Sequence, residues 1–222
     1  MQFDNPLIVQ GDRTLLLDVH APLADDCRND LIPFAELEKS PEHLHTYKLS
    51  PLSLWNAASA GFSADDAIAV LYKFARYDVP QSIGMWIKET ASRFGKLRLL
   101  PGPERQIPGG QNDQMISEKY LYLVSSSKPI FREIGVNPSA KKYITECPYG
   151  QVKIPSIANA FPDIPFELPE ESIVPLSEEE KSYCYILQLT DRGTIKQLLI
   201  QAGWPVKDEV QLADGEPLAV NL

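Results

Sequence analysis

The chain has 222 residues, of which 44% are hydrophobic and 23% charged, and a net charge of −9. Those proportions are ordinary for a globular protein and exclude collagen-like, mucin-like and wholly disordered chains. The acidity, with an isoelectric point near 4.9, excludes a histone-like polybasic binder but not a local basic patch, and the length suits one large or two small domains, with barely room for one lobe of a two-lobed nucleic-acid motor.

The first elements are short. Leu7–Gln10 and Thr14–Val19 flank Gly11-Asp12-Arg13 and read as a β-hairpin. Residues 22–38 fit a helix that Pro33 should break or kink. Leu44–Leu49 reads as a strand, with His45, Tyr47 and Leu49 on one face. Three helices are expected next. Pro51–Ala60 has Ser50 as N-cap and Gly61 past its end. Ala64–Tyr77 is capped by Ser63 and turns Ile68, Leu71, Tyr72 and Ala75 inward. Gln81–Phe94 buries Ile83, Trp86, Ile87, Thr90 and Phe94 and stops at Gly95. Lys96–Leu100 then reads as a strand.

Pro101-Gly102-Pro103 and Pro108-Gly109-Gly110 mark a break. They divide the chain into a domain at 1–100, a linker at 101–118 and a second domain at 119–222. In the second domain Tyr120–Ser125 is a strand, Lys128–Ile134 and Pro138–Tyr143 are short helices, and Gln151–Ile154 is a strand. Residues 155–180 hold five prolines and seven acids with no base, an extended or irregular segment. Tyr183–Leu189 is a strand. Asp191 caps a final helix with Ile195, Leu198, Leu199 and Ala202 inward, closed by Gly203. The whole is α+β: a hairpin plus a helical, winged-helix-like domain, then a small α+β domain.

Chemistry is sparse. No run of roughly 18 apolar residues is present, so no membrane helix is expected. The opening Met1-Gln2-Phe3-Asp4-Asn5-Pro6 lacks a basic and an apolar region, so a cytoplasmic location without a leader is expected. Cys27, Cys147 and Cys184 are far apart, form no C-x-x-C, and read as reduced, buried small hydrophobes. The only Gly-Lys pair, Gly95-Lys96, lacks a glycine-rich approach, so no phosphate loop and no catalytic residue is assigned. His43 and His45 form an H-x-H, a candidate metal pair, but no further ligand cluster accompanies them and structural roles are the expectation; no metal is assigned.

Charge distribution says more. Within 73–98, Lys73, Arg76, Lys88, Arg93, Lys96 and Arg98 face only Asp78 and Glu89. This is either a solvated helical face or a patch for phosphates or an acidic partner. Lys141, Lys142, Arg192 and Lys196 form a weaker second group. Trp55, Tyr72, Phe74, Trp86 and Phe94 lie at helical spacing and read as core rather than as a base-stacking platform.

Several runs carry a family resemblance: Asn5-Pro-Leu-Ile-Val-Gln-Gly-Asp-Arg-Thr-Leu-Leu-Leu-Asp-Val-His20, residues 33–48, Ser50-Pro-Leu-Ser-Leu-Trp-Asn-Ala-Ala-Ser-Ala-Gly61, and Tyr77-Asp-Val-Pro-Gln81 leading to Arg93-Phe-Gly-Lys-Leu-Arg98. With Asp191–Pro205 and Asp214–Leu218, they closely resemble the N-terminal, non-motor region of bacterial XPB-type DNA repair helicases of superfamily 2. The resemblance implies an ATP-dependent 3′→5′ parent enzyme whose ATP- and Mg2+-binding residues lie beyond Leu222, and a second domain comparable to the family's damage-recognition domain. This chain is then expected to need no cofactor and to hydrolyse no ATP. Its implied partners are DNA, bound weakly and salt-dependently, and a protein such as a repair nuclease. The alternative is a stand-alone, non-enzymatic interaction or regulatory protein built on the same domain.

Overall fold

The computed structural model describes residues 4–109, 114–153, 160–169 and 175–210. The chain divides into two compact units, one ending at Phe94 and the next beginning at Gly95. Both mix helix and sheet. Among the described residues, no helix is long and apolar enough to cross a membrane.

The first unit begins with β1 (Leu7–Val9) and β2 (Thr14–Asp18), antiparallel with Leu7 opposite Leu17. The turn between them places Arg13, not Gly11, at a positive φ of 73°. That conformation costs an arginine about 1 kcal/mol, and its guanidinium lies 4.8 Å from the Trp86 ring centroid. Helix α1 (Ala24–Leu31) ends short of Pro33. The helix expected to run on to Glu38 does not: Glu36–Lys39 is a strand, β3, paired with β4 (Leu44–Lys48). The sheet order is β1-β2-β4-β3.

Helix α2 (Pro51–Ser59) starts at Ser50, whose hydroxyl accepts from the Ser53 amide. Helix α3 (Ala64–Phe74) starts at Ser63 and Asp66, a reciprocal capping box. It ends three residues earlier than its periodicity predicts. Ala75 turns to extended backbone and bridges Leu7, and the Arg76 amide donates to the Leu7 carbonyl at 2.7 Å. The inward face is therefore Ala67, Leu71 and Phe74, while Tyr72, expected inside, is 59% exposed. Helix α4 (Gln81–Ser92) buries Ile83, Ile87 and Thr90 and leaves Trp86 and Phe94 half-buried. Leu7, Leu15, Leu17, Leu31, Phe34, Leu71, Phe74, Ile83 and Ile87 form the core.

The second unit holds a five-stranded sheet in the order β7-β8-β6-β5-β9. Its spine is a long antiparallel pair, β5 (Leu97–Pro108) and β6 (Met115–Ser125). The segment 101–118, expected to be a linker, is therefore strand over 101–108 and 115–118. The Pro101-Gly102-Pro103 run is a shift of register inside β5 rather than its end. A Cβ on Gly102 would lie 2.6 Å from the Tyr120 carbonyl oxygen, so only glycine lets the two backbones approach there. The strand expected to cap a winged helix pairs inside this second sheet instead, so the winged-helix description does not hold for the described residues.

Helix α5 (Lys128–Val136) follows, then a single 3-10 turn, Ala140–Lys142, where a helix over 138–143 was expected. Strand β7 (Thr145–Glu146), helix α6 (Glu178–Ser182), strand β8 (Cys184–Gln188), helix α7 (Arg192–Gln201) and strand β9 (Val206–Asp208) complete the unit. The strand expected at Gln151–Ile154 is absent over 151–153, and Ile154 lies outside the described residues. Asp191 stands at the α7 N-cap position but makes no side-chain cap bond. Residues 120–125 are buried on both faces: Leu121 and Leu123 pack with Ile130, Ile134, Ile195 and Leu199, and Tyr122 and Val124 with Cys147, Cys184 and Ile186.

One arginine makes several contacts to the described part of the proline-rich acidic segment, 160–169. Arg105, 4% exposed, donates to Glu118 at 2.6 Å and to the carbonyls of Phe161 and Ile164 at 2.7 and 3.1 Å. Its guanidinium lies 4.2 Å from the Phe166 ring centroid. Glu104 and Glu167 exchange backbone hydrogen bonds beside it. All three cysteines are free and buried, and burial pushes the Cys27 and Cys184 thiols up to about 12.

Arg105→Ala would leave Glu118 with only the Tyr120 hydroxyl and take the Arg105 donor from two carbonyls, a loss of about 3 kcal/mol. Limited proteolysis should then cut 160–168 markedly faster; an unchanged cleavage rate would show that the segment is held otherwise. In the first unit, the Arg76 guanidinium holds the Asp18 carboxyl below its ordinary range, with help from the His20 amide. A lowered folded pKa stabilises above the unfolded carboxylate value, about 3.9, and that stability is lost as pH falls through the folded one. In a Trp204→Phe background, where Trp55 and Trp86 report the first unit, Asp18→Asn should flatten the acid limb of urea midpoints measured from pH 6 to pH 3. An acid limb of unchanged steepness would remove Asp18 from the account.

Candidate nucleic-acid interface

A polyanion needs cations that the fold has not already neutralised. Most of the bases expected at 73–98 are neutralised. Lys73 Nζ lies 2.9 Å from Asp30, Arg76 Nη2 2.9 Å from Asp18, Lys88 Nζ 3.0 Å from Asp65, and Arg93 Nη2 3.6 Å from Glu89. Arg98, 8% exposed, donates through Nε and Nη2 to one oxygen of Glu209 at 2.9 and 2.7 Å. Lys96 alone of the six is exposed with no ion pair among the described residues. Asp18, Asp30, Asp65 and Glu209 come from outside the window, so the local excess of positive charge read from the sequence is largely cancelled in space.

The second group divides. Arg192 and Lys196 both reach Asp208, at 2.7 and 3.1 Å, and the Asp208 side chain is fully buried. They are parts of the fold's interior. Lys141 and Lys142 are exposed on the 3-10 turn.

The structure adds two bases to these. On α5, Ile130 and Ile134 face the core, so Lys128 and Arg132, at i and i+4, lie on the opposite, exposed side. Asn137 ends the helix in extended backbone before Pro138. Its side-chain oxygen accepts from the amides of Ser139 and Ala140, both at 3.0 Å. That bond folds the next turn against α5, with Ala140 buried beneath it. Lys128, Arg132, Lys141 and Lys142 are thus four exposed bases on two touching elements, with no ion pair among the described residues. The one acid in 128–142, Glu133, accepts from the Trp204 indole at 2.9 Å. The signal was present in the sequence as a four-base, one-acid run with its bases opposite the isoleucines.

The histidines rearrange too. His45 follows the inward alternation of Tyr47 and Leu49, and its Nδ1 is buried with no hydrogen-bond partner among the described residues. His43 instead meets His20, Nδ1 to Nε2 at 2.8 Å. The H-x-H pair is therefore not brought together on one site. Among the described residues no group of three metal-ligating side chains is found.

The comparisons with known proteins bear on the whole chain. Residues 7–146 match the family model described as the helicase conserved C-terminal domain. The chain is 34% identical over 219 residues to the DNA 3′-5′ helicase XPB of Kineococcus radiotolerans, covering 99% of this chain and 31% of that protein. It is 33% identical over 219 residues to the protein of the same description in Mycobacterium tuberculosis, covering 99% and 32%. Over 95 residues, 43% of this chain and 14% of the relative, it is 33% identical to the general transcription and DNA repair factor IIH helicase/translocase subunit XPB of Antonospora locustae. The chain spans about a third of the length of the bacterial relatives. The matching model is named for a C-terminal domain, whereas the resemblance implied an N-terminal region; the comparisons carry the family and not that placement.

Arg192→Met should leave Asp208 buried with only Lys196 opposite it, at a cost of about 3–5 kcal/mol. Lys96→Glu, on an exposed site, should change stability by no more than about 0.5 kcal/mol. Urea denaturation of both variants measures this. Equal, small effects would contradict the division into interior and available bases.

Proposed function

Because the chain belongs to the helicase conserved C-terminal domain family, we propose that it is a motor-free, DNA-contacting and partner-docking part of an XPB-type ATP-dependent DNA repair helicase. The basic surface of α5 and the following 3-10 turn carries this reading. Four exposed cations with a single acid, Glu133, among them suit a phosphate backbone.

The sheets support a place beside the motor rather than within it. A nucleotide-driven lobe is built on parallel strands with helices on both faces and a phosphate loop after a strand. Both sheets here are antiparallel except for the β5–β9 pairing. In this reading the second unit is the counterpart of the family's damage-recognition domain, the first unit docks a protein such as a repair nuclease, and ATP and Mg2+ act in the parent's motor.

Affinity for duplex DNA should be modest, given the net charge of −9. With four phosphate contacts it should fall roughly 100-fold between 50 and 200 mM salt. The variant Lys128→Glu/Arg132→Glu/Lys141→Glu/Lys142→Glu should lose this binding, while Lys88→Glu should keep most of it. Fluorescence anisotropy with a labelled duplex measures both. Undiminished binding by the fourfold variant would overturn the assignment.

A further inference from the structure

The connection from α3 to α4 takes no part in the proposed DNA surface. It is pinned from the start of the chain. The buried Asn5 side chain donates to the carbonyls of Lys73 and Ala75 at 3.2 and 3.0 Å. Arg76 Nε donates back to the Asn5 carbonyl at 2.8 Å, and Arg76 Nη2 to Asp18 at 2.9 Å. Ala75 leaves α3 in extended backbone, and Pro80 stands before α4 with φ fixed by its ring.

These bonds fix the shape of a cleft of about 480 Å³ where α3 ends and α4 begins. Ala75 and Val79 line it together with Tyr72 and Tyr77, which stay 59% and 47% exposed. Neither tyrosine hydroxyl makes a hydrogen bond among the described residues. Two charged side chains also line the cleft. Arg76 is neutralised by Asp18. Asp78 is exposed and has no ion pair among the described residues. The cleft therefore combines one uncompensated negative charge with two exposed phenol rings.

A phenol ring attracts a cation to its face, and a carboxylate takes a guanidinium through two parallel hydrogen bonds. Arginine meets both demands at once, because its plane stacks while its edge donates. The amides of Tyr77 and Asp78, both exposed residues, have no hydrogen-bond partner among the described residues. The main chain of an extended segment can pair with them.

We propose that this cleft takes an arginine carried on an extended segment of a partner protein. The inference rests on the reading that the first unit docks a protein, and it names the chemistry that the unit docks.

The test is a nuclear magnetic resonance titration of the isotope-labelled full chain with the peptide acetyl-Thr-Val-Arg-Val-Thr-amide. At about 1 mM peptide, the amides between Tyr72 and Gln81 should shift and approach saturation. The same peptide with citrulline in place of arginine should bind roughly tenfold more weakly. Asp78→Asn and Tyr77→Ala should each weaken binding of the arginine peptide by a similar factor while leaving the rest of the spectrum in place. Equal binding of the two peptides, or undiminished binding by both variants, would overturn the cleft. Shifts confined to other parts of 4–94 would overturn it while keeping a docking role for the unit; no shift anywhere in 4–94 would take away both.

Discussion

A guanidinium withdrawn from water has to meet a carboxylate, and this requirement decides which cations the chain can offer to a partner. Arg98 is held by Glu209, Arg105 by Glu118 and Arg192 by Asp208, each at 2.6–2.7 Å. Arg98 and Glu209 are 111 positions apart, while the other two pairs span 13 and 16. Of the exposed bases with no ion pair among the described residues, Lys128, Arg132, Lys141 and Lys142 lie together where α5 turns into the following 3-10 turn.

The same arithmetic of burial explains why the second unit can carry a surface at all. Strand β6 is covered on both faces from 120 to 125, so two apolar layers are tied to one strand. One layer seats α5 through Ile130 and Ile134, which turns Lys128 and Arg132 outward. The other covers Cys147 and Cys184, and burial raises both thiols. At the far end of the hairpin, Arg105 draws in Phe161 and Ile164 of the proline-rich segment. Binding surface and proline-rich segment therefore hang on the same β5–β6 pair, by different contacts.

Much of the first unit was legible because its signals are local. Ser50 with Pro51, Ser63 with Asp66, and Gly61 and Gly95 at φ near 84° punctuate helices within a few residues. Long-range events were not legible. Helix α3 stops at Phe74 because Ala75 bridges Leu7, a contact 68 residues away that no window contains. Glu36–Lys39 takes strand form because β4 offers an edge. Pro101-Gly102-Pro103 reads as a break, yet it is the bulge that lets β5 pass close to Tyr120. The charge balance of 73–98 was not legible for the same reason: most of its counter-charges, Asp18, Asp30, Asp65 and Glu209, are supplied from outside that stretch. The family was legible in particular words of the sequence, while the place of this stretch within its longer relatives was not.

Hydrogen–deuterium exchange of the full chain, with and without duplex DNA at low salt, tests the central claim most directly. The account predicts slowed exchange of the amides from Lys128 to Lys142 and little change from Lys73 to Phe94. Protection confined to α3 and α4, with none over 128–142, would contradict it.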